Sequence, residues 1–314
     1  MSMDQEVQVR REMESAGLPG LRAIWTGLAC GCALLAAPVT PLLAGTYVYW
    51  VQSNNTIGRA NIDGTGVAAQ WQFVSNGQVS GLARDTGHLY FPNYEFQSNF
   101  RSIGRINSDG SGLNRTFINA MSGQGLVWSV AVNDTHIYWA DPGRRTIGRA
   151  NVDGSGANLD LIQYSNGSIN SYNIAVGGNH IYWSTDNNWI ARANLDGSGV
   201  QPNFIPGSDP RAIAANGSHI YWANFATNRI GRANLDGTGV DQNFIATSRP
   251  PLGVAVDDQF VYWSNYYNFA VPNSGSIGRA NLDGTGVDNA FIPSLEPTQI
   301  VVGSDTEGFS DGFE

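Results

Sequence analysis

The sequence predicts an all-β chain folded as a six-bladed β-propeller of four-stranded antiparallel blades. Three observations predict it: one phrase occurs six times, a second phrase precedes every copy, and the two ends of the repeat region together supply one blade. The first phrase is IGRANIDG from Ile57, IGRINSDG from Ile103, IGRANVDG from Ile147, IARANLDG from Ile190, and IGRANLDG from both Ile230 and Ile277. Successive copies lie 46, 44, 43, 40 and 47 residues apart, which is the period of a propeller blade.

The second phrase is YVYW at Tyr47, HLYF at His88, HIYW at His136, His180 and His219, and FVYW at Phe260. Aromatic and β-branched runs of this length have strand chemistry. Each unit divides into four strands: a small apolar run such as GVAVD from Gly253, the aromatic run, the IGRAN run, and a looser run such as VDQNFI from Val240. An Asp-Gly pair in every unit supplies a hairpin turn. The Ala-, Val- and Gly-rich run belongs innermost, where six sheets converge and space is least.

The repeats begin in a second strand, TYVYW from Thr46, and end in a first strand, QIVVG from Gln299. Joined, these make one blade, so the C-terminal innermost strand closes the N-terminal blade and leaves no unpaired edge inside the ring.

These residues resemble the YWTD propeller of low-density-lipoprotein-receptor class B repeats, whose blades carry a Tyr-Trp-Thr-Asp strand followed by an IxxANLDG-like strand. The resemblance covers residues 45 to 304 and implies a propeller that binds proteins. It departs at Thr-Asp, which here becomes Val51-Gln52, Pro92-Asn93, Ala140-Asp141, Ser184-Thr185, Ala223-Asn224 and Ser264-Asn265. Only Asp141 keeps the acid in register, and amides or hydroxyls at the other positions can still accept backbone hydrogen bonds at turns.

A chain of 314 residues, 42% hydrophobic and 14% charged, suits one large all-β domain. Its 17 basic residues are all Arg and face 26 acids, for a net charge of -9. Nucleic acid is thereby excluded as a partner, because neutralising phosphate requires a basic face.

Both cysteines, Cys30 and Cys32, sit in an apolar stretch from Ala23 to Ala44 behind Arg10, Arg11 and Arg22, the pattern of an export signal. The expected division is a signal peptide or N-terminal membrane segment at 1–44, the propeller at 45–304 and an acidic tail at 305–314. Cleavage after Ala44 ranks first, an uncleaved anchor second and lipid attachment on Cys30 or Cys32 third, since Pro38 and Pro41 break a spanning helix. Each places the chain at the cell envelope, secreted or periplasmic, with membrane contact only through an uncleaved segment.

His88, His136, His180 and His219 all fall just before an aromatic strand in four different blades, which suits a structural turn rather than a catalytic or metal site. The phrase N-x-D-G-[ST]-G, as in Asn234 to Gly239, resembles a calcium loop but lacks its spaced acids and terminal Glu. It suits a tight turn better, so no cofactor is assigned, with calcium the one alternative. Arg59, Arg105, Arg149, Arg192, Arg232 and Arg279 share one strand slot, which suits blade-to-blade hydrogen bonding. Arg84 stands where other inner strands carry Val132, Val176, Ala215, Val256 and Val302, either pointing into the channel or adjusting an edge.

Function is expected where the repeat breaks, because a position that varies between blades is not needed to close the ring. Loops after the aromatic strands vary most and share one face with the loops that lead into the inner strands. The candidate ligand-binding residues are Tyr94, Phe96, Trp128, Tyr172, Trp189, Asp209, Arg211, Phe225, Arg249, Tyr266, Tyr267, Phe269 and Glu296. Their mixture of rings, cations and acids suits a protein or carbohydrate at the cell envelope. The equal alternative is that Tyr94, Phe96, Tyr266, Tyr267 and Phe269 pack their own loops. The leading expectation is a non-catalytic binding propeller; the alternatives are a calcium-dependent hydrolase or lactonase, and an envelope scaffold.

Overall fold

A computed structural model describes residues 46–74, 78–95, 100–119, 125–163, 173–268 and 270–304. The expected signal segment and the acidic tail lie outside the described residues. Six four-stranded antiparallel sheets form the ring, as predicted, and no α-helix occurs among the described residues. Blades are numbered here from the one that holds both ends of the repeat region. In blades 2 to 6 the inner, aromatic, IGRAN and outer strands follow one another along the chain. Blade 1 takes its inner strand, Pro297–Ser304, from the far end of the sequence and pairs it with Thr46–Gln52. The register sets Tyr49 opposite Val301 and Trp50 opposite Ile300.

The glycine of IGRAN is explained by the ring above it. Trp50 pairs with Gly58, Trp139 with Gly148, Trp222 with Gly231 and Trp263 with Gly278, and a Cβ on any of these glycines would overlap the indole. Five tryptophans at this position are fully buried, with Phe91 over Gly104 completing the set. Truncating one such side chain to Ala costs about 3–5 kcal/mol in a typical core. Blade 4 departs, pairing Trp183 with Ala191.

The repeated arginines join neighbouring blades, as expected, in Arg149 to the Leu195 carbonyl (3.1 Å), Arg192 to Leu235 (3.0 Å) and Arg232 to Leu282 (3.1 Å). Arg192 and Arg232 also lie over Phe204 and Phe244 of their own outer strands, each 4.0 Å from the ring centroid. The guanidinium is thus held by a ring on one side and a carbonyl of the next blade at its tip. Arg59 lies over Tyr47 and Trp71 within its own blade, and Arg105 lies over Phe117.

The N-x-D-G-[ST]-G phrase is a turn whose side chains are consumed internally. In the first copy Asp63 Oδ1 accepts from Thr65 N (2.9 Å) and Thr65 Oγ1 (2.6 Å), and Asn61 Nδ2 donates to Thr65 Oγ1 at 2.9 Å. Gly64 has φ 86° and Gly66 φ 63°, the left-handed region that glycine enters without strain. The Thr65 hydroxyl and amide hold the Asp63 carboxyl below its ordinary pKa.

The position of the lost Thr-Asp acid still stitches loops together. Asp141 Oδ1 accepts from Leu126 N (2.7 Å) and Arg144 N (2.9 Å). Asn224 Oδ1 accepts from Ser208 N (2.9 Å), and Gln52 Oε1 accepts from Glu296 N (3.1 Å). Asn265 works in the opposite sense, its Nδ2 donating to the Asn289 carbonyl at 2.8 Å.

Inner strands line a central cavity of about 140 Å³ in tiers set by register. One tier holds Leu82, Val130, Ile174, Ile213, Val254 and Ile300, all buried. The next tier is Ala83, Ala131, Ala175, Ala214, Ala255 and Val301, the residues paired with the six aromatic-strand tyrosines. The last tier carries Arg84 among Val132, Val176, Ala215, Val256 and Val302, all half-buried. Arg84 therefore lines the channel, resolving the alternatives left by sequence. Above the first tier Asn173 Nδ2 donates to Ser129 Oγ (3.1 Å) and to Gln299 Oε1 (3.3 Å), a bond from blade 4 to blade 1 across the axis. Asn173 Oδ1 accepts from Ile213 N of blade 5 at 2.9 Å.

Candidate functional site

The loops that vary between blades meet on one face because they bond to one another. Phe225 N donates to the Asp209 carbonyl (3.2 Å), Ala226 N to Ser208 O (3.4 Å) and Tyr266 N to Pro250 O (2.9 Å). In each pair a residue following an aromatic strand is tied to the segment that leads into an inner strand.

On this face six of the sequence-predicted residues form one arc over blades 5, 6 and 1. Arg211 Nη2 donates to Asp209 Oδ2 at 2.9 Å, and its guanidinium stands 5.0 Å from the Phe225 ring centroid. Phe225, in a single 3-10 turn at Phe225–Thr227, meets Tyr266 edge-on at 5.9 Å and 87°. Tyr266 stacks on Tyr267 at 5.9 Å and 24°. Beyond Tyr267, Ser53 Oγ donates to Glu296 Oε2, and Glu296 Oε1 accepts from Asn273 N at 3.2 Å. The arc thus runs from a cation, across three rings, to an acid.

Burial divides the rings. Tyr267 is 5% exposed and fixes its loop against Gly275, whereas Phe225 and Tyr266 are half-buried and keep part of their surface open. The packing alternative thus describes Tyr267, while Tyr266 leaves part of its ring accessible. Burial raises the Tyr267 hydroxyl pKa, so it stays protonated.

Asp209 adopts φ 55°, a left-handed conformation unfavourable for a side chain with a Cβ. Asn188 Oδ1 holds it by accepting from Asp209 N at 3.0 Å, and Arg211 holds its carboxylate. The strained residue is therefore fixed from both sides on the open face.

Other predicted residues lie apart along the same loops. Tyr94 continues the aromatic strand of blade 2 outward, facing Arg101 at 5.0 Å and bridging to Gln78. Trp128 is half-buried, its carbonyl accepting from Ser80 Oγ at 2.7 Å. Trp189 opens the third strand of blade 4, its N donating to Thr185 Oγ1 at 3.1 Å. Arg249 is exposed, its carbonyl accepting from Thr247 Oγ1 at 2.8 Å. Phe96, Tyr172 and Phe269 lie outside the described residues.

Gln52 accepts a backbone hydrogen bond from Glu296 N, as expected for an amide at that position, whereas sequence reasoning did not single out Ser53 and Asn273, which orient the Glu296 carboxylate. Their signal is only a polar residue next to a break in the repeat. It also passed over Asn173 and Gln299, though both are large amides in a slot where three other inner strands carry Gly81, Ala212 and Gly253.

The histidines occupy the opposite end of the blades. His88 Nδ1 lies 3.2 Å from Asp85 Oδ1, and His136 and His219 pair through Nδ1 with Thr135 and Ser218 hydroxyls at 2.8 Å. Each sits about one ring-width from the tyrosine two residues on, with centroids 6.0–6.1 Å apart. Among the described residues no three His, Cys, Asp or Glu side chains gather in a metal-binding group.

No protein-family model matches the chain, and no curated protein matches it. Among solved structures, it is similar to a chain from a crystal structure of a nidogen/laminin complex, at 18% identity over 83% of this chain and 99% of that chain, with a TM-score of 0.66. It is also similar to a gluconolactonase from Xanthomonas campestris, at 16% identity over 72% of this chain and 77% of that chain, with a TM-score of 0.52. At these identities the likeness shows a shared propeller fold.

Proposed function

We propose that the chain is a non-catalytic binding propeller of the YWTD type, secreted or periplasmic, that grips a protein partner through the arc from Arg211 to Glu296. The observation that carries this reading is the stack of Phe225 and Tyr266, half-open, on a buried Tyr267, flanked by an Arg–Asp pair and a fixed Glu. Rigid rings supply contact area at little entropic cost, and oriented charges at the rim select the partner. The nidogen/laminin structure is a complex between proteins, which supports a protein partner ahead of a carbohydrate. A calcium-assisted hydrolase draws less support. Such a reaction needs carboxylates converging on the channel, and the polar side chains lining it are Arg84, Asn173 and Gln299.

The test is an array of cell-envelope proteins and glycans probed with the full chain, followed by the Phe225→Ala/Tyr266→Ala double variant on each hit. Loss of at least about tenfold in affinity with an unchanged unfolding midpoint supports the arc, since each interface anchor is worth about 2 kcal/mol or more. Hits bound equally by the double variant reject it.

A further inference from the structure

We propose that the outer strand of blade 1 is a pairing edge, on which a second copy of this chain adds its own blade 1 outer strand antiparallel. Every blade ends in an outer strand, and an open strand edge offers unpaired backbone groups to a neighbour. Five of the six carry a charge or a proline that blunts pairing: Arg115 in blade 2, Asp160 in blade 3, Pro202 in blade 4, Asp241 in blade 5 and Asp288 with Pro293 in blade 6. Blade 1 has neither. Its outer strand, Ala68–Phe73, reads AAQWQF. Just past it the Val74 carbonyl is taken by Arg115 Nε at 2.9 Å, so the open edge ends at Phe73.

The same strand is apolar on its exposed side. Phe73 is 51% exposed and stands opposite Thr56, in the place that Gln163, Pro206, Ala246 and Pro293 take in blades 3 to 6. Val67, 47% exposed, comes just before the strand's other end. Between them Trp71 is committed to the ring, beneath the Arg59 guanidinium and against Gly110 of the blade 2 turn, which fixes the strand to its neighbours.

Symmetry selects a second copy as the occupant. Antiparallel pairing about a two-fold axis at Gln70 sets Val67 opposite Phe73 of the second copy, Ala68 opposite its Gln72 and Ala69 opposite its Trp71, with Gln70 facing itself. Each exposed ring thus meets an exposed valine, once on either side of the axis, and the two central amides exchange hydrogen bonds. The same operation on any other outer strand brings two copies of its charge or its proline into the seam, where like charges repel and a missing N–H breaks the ladder. Because blade 1 alone has such an edge, the assembly closes at two copies and does not grow into a fibre. The edge lies on the outer rim and does not use the aromatic arc.

The experiment is sedimentation equilibrium on the full chain up to millimolar concentration in about 0.15 M salt, where repulsion between chains of net charge -9 is screened beyond about 8 Å. The expected result is a concentration-dependent mass that levels at two copies. Gln70→Lys sets two cations face to face at the axis and Gln70→Glu two anions, so each alone should be monomeric and an equimolar mixture should restore the dimer. Phe73→Gln, which copies blade 3, should raise the dimer dissociation constant at least about tenfold and leave the monomer's unfolding midpoint unchanged. A chain that stays monomeric throughout overturns the proposal, as does a dimer that both Gln70 variants retain or a mass that grows past two copies. Hydrogen exchange on the unaltered chain decides the matter should the variants fold poorly: the amides of Ala68–Phe73 slow at dimer concentrations, or the seam lies elsewhere. The Phe225→Ala/Tyr266→Ala variant should dimerise as the unaltered chain does, so this reading and the loop-face one stand or fall separately.

Discussion

Arg279 Nη1 donates to the Ile62 carbonyl at 3.2 Å, so the last blade is clasped to the first by the same bond that joins internal neighbours. Arg279 also lies over Phe291, 3.9 Å from its centroid, completing the ring-and-carbonyl grip seen around Arg192. A seam built from the same parts as an internal joint has no reason to open first. Replacing Arg279 by Met should lower stability by about 1.5–3 kcal/mol, the range for a hydrogen bond from a charged donor. Arg192→Met should match it within about 1 kcal/mol by the same measure. Urea unfolding monitored by tryptophan fluorescence checks both. An early separate transition in Arg279→Met alone would show a weak seam.

Arg145 adopts φ 60° at the end of the blade 3 loop, where blades 1, 4 and 5 place Asn55, Asn188 and Asn228 in the same left-handed conformation. Asn tolerates that region through its short polar side chain, and Arg gains nothing comparable. Arg145→Asn should therefore stabilise the chain by about 0.5–1 kcal/mol, read as a higher unfolding midpoint. A lower midpoint would mean that the Arg145 side chain contributes more than its backbone strain removes.

The ring itself was legible because its cause is periodic. A large ring over a Gly or Ala, an Arg beside a Tyr and an Asp-Gly turn recur in every blade so that six sheets pack alike, and each leaves a sixfold mark in the sequence. Blade count, strand order and the pairing of Ile300 with Trp50 all follow from that mark. The face is different. Its loops obey no period, and sequence could name Tyr266 and Tyr267 together without separating the half-open ring from the buried one. That separation depends on Gly275, whose lack of a side chain lets Tyr267 fold inward, and on Asp209, whose strained backbone carries no local signature. Arg84 was conspicuous as a break in an apolar column, but its direction depends on Gly303, a residue 219 positions away in the other half of the closure.

The two stacked tyrosines should behave oppositely under substitution. Tyr267→Ala removes a buried ring and should lower stability by about 2–4 kcal/mol, near the range for large-to-small changes in a core. Tyr266→Ala takes away a half-exposed ring and should shift the midpoint by less than about 1 kcal/mol. Chemical unfolding of the two single variants checks this. Equal losses would mean that Tyr266 is as much a packing residue as its neighbour, removing it from the proposed binding arc.

Stability should respond to acid in two separate windows. His136, His180 and His219 have pKa values below the ordinary 6.5, chiefly because burial disfavours the charged ring and secondarily because Arg149, Arg192 and Arg232 stand nearby. In the unfolded chain these histidines titrate near 6.5, so it takes up protons there before the folded chain does. The contribution is fully present above about pH 6.5 and is lost as pH falls through the lower folded values. The turn carboxylates Asp63, Asp109, Asp153, Asp196, Asp236 and Asp283 are held below 3.8 by side-chain hydrogen bonds from Thr or Ser two residues on, and then by the backbone amides of those residues. Their contribution is present above about pH 3.8 and is lost only on further acidification. Unfolding midpoints measured from about pH 7 to about pH 3 should show a shallow decline followed by a steeper one. Replacing the three histidines by Gln should flatten the first decline and leave the second in place. Asp236→Asn should ease the second and leave the first, because a neutral amide no longer gains a proton on unfolding. A profile in which the histidine variant alters only the acid limb would show that these rings stay as free to titrate in the blade as in the open chain.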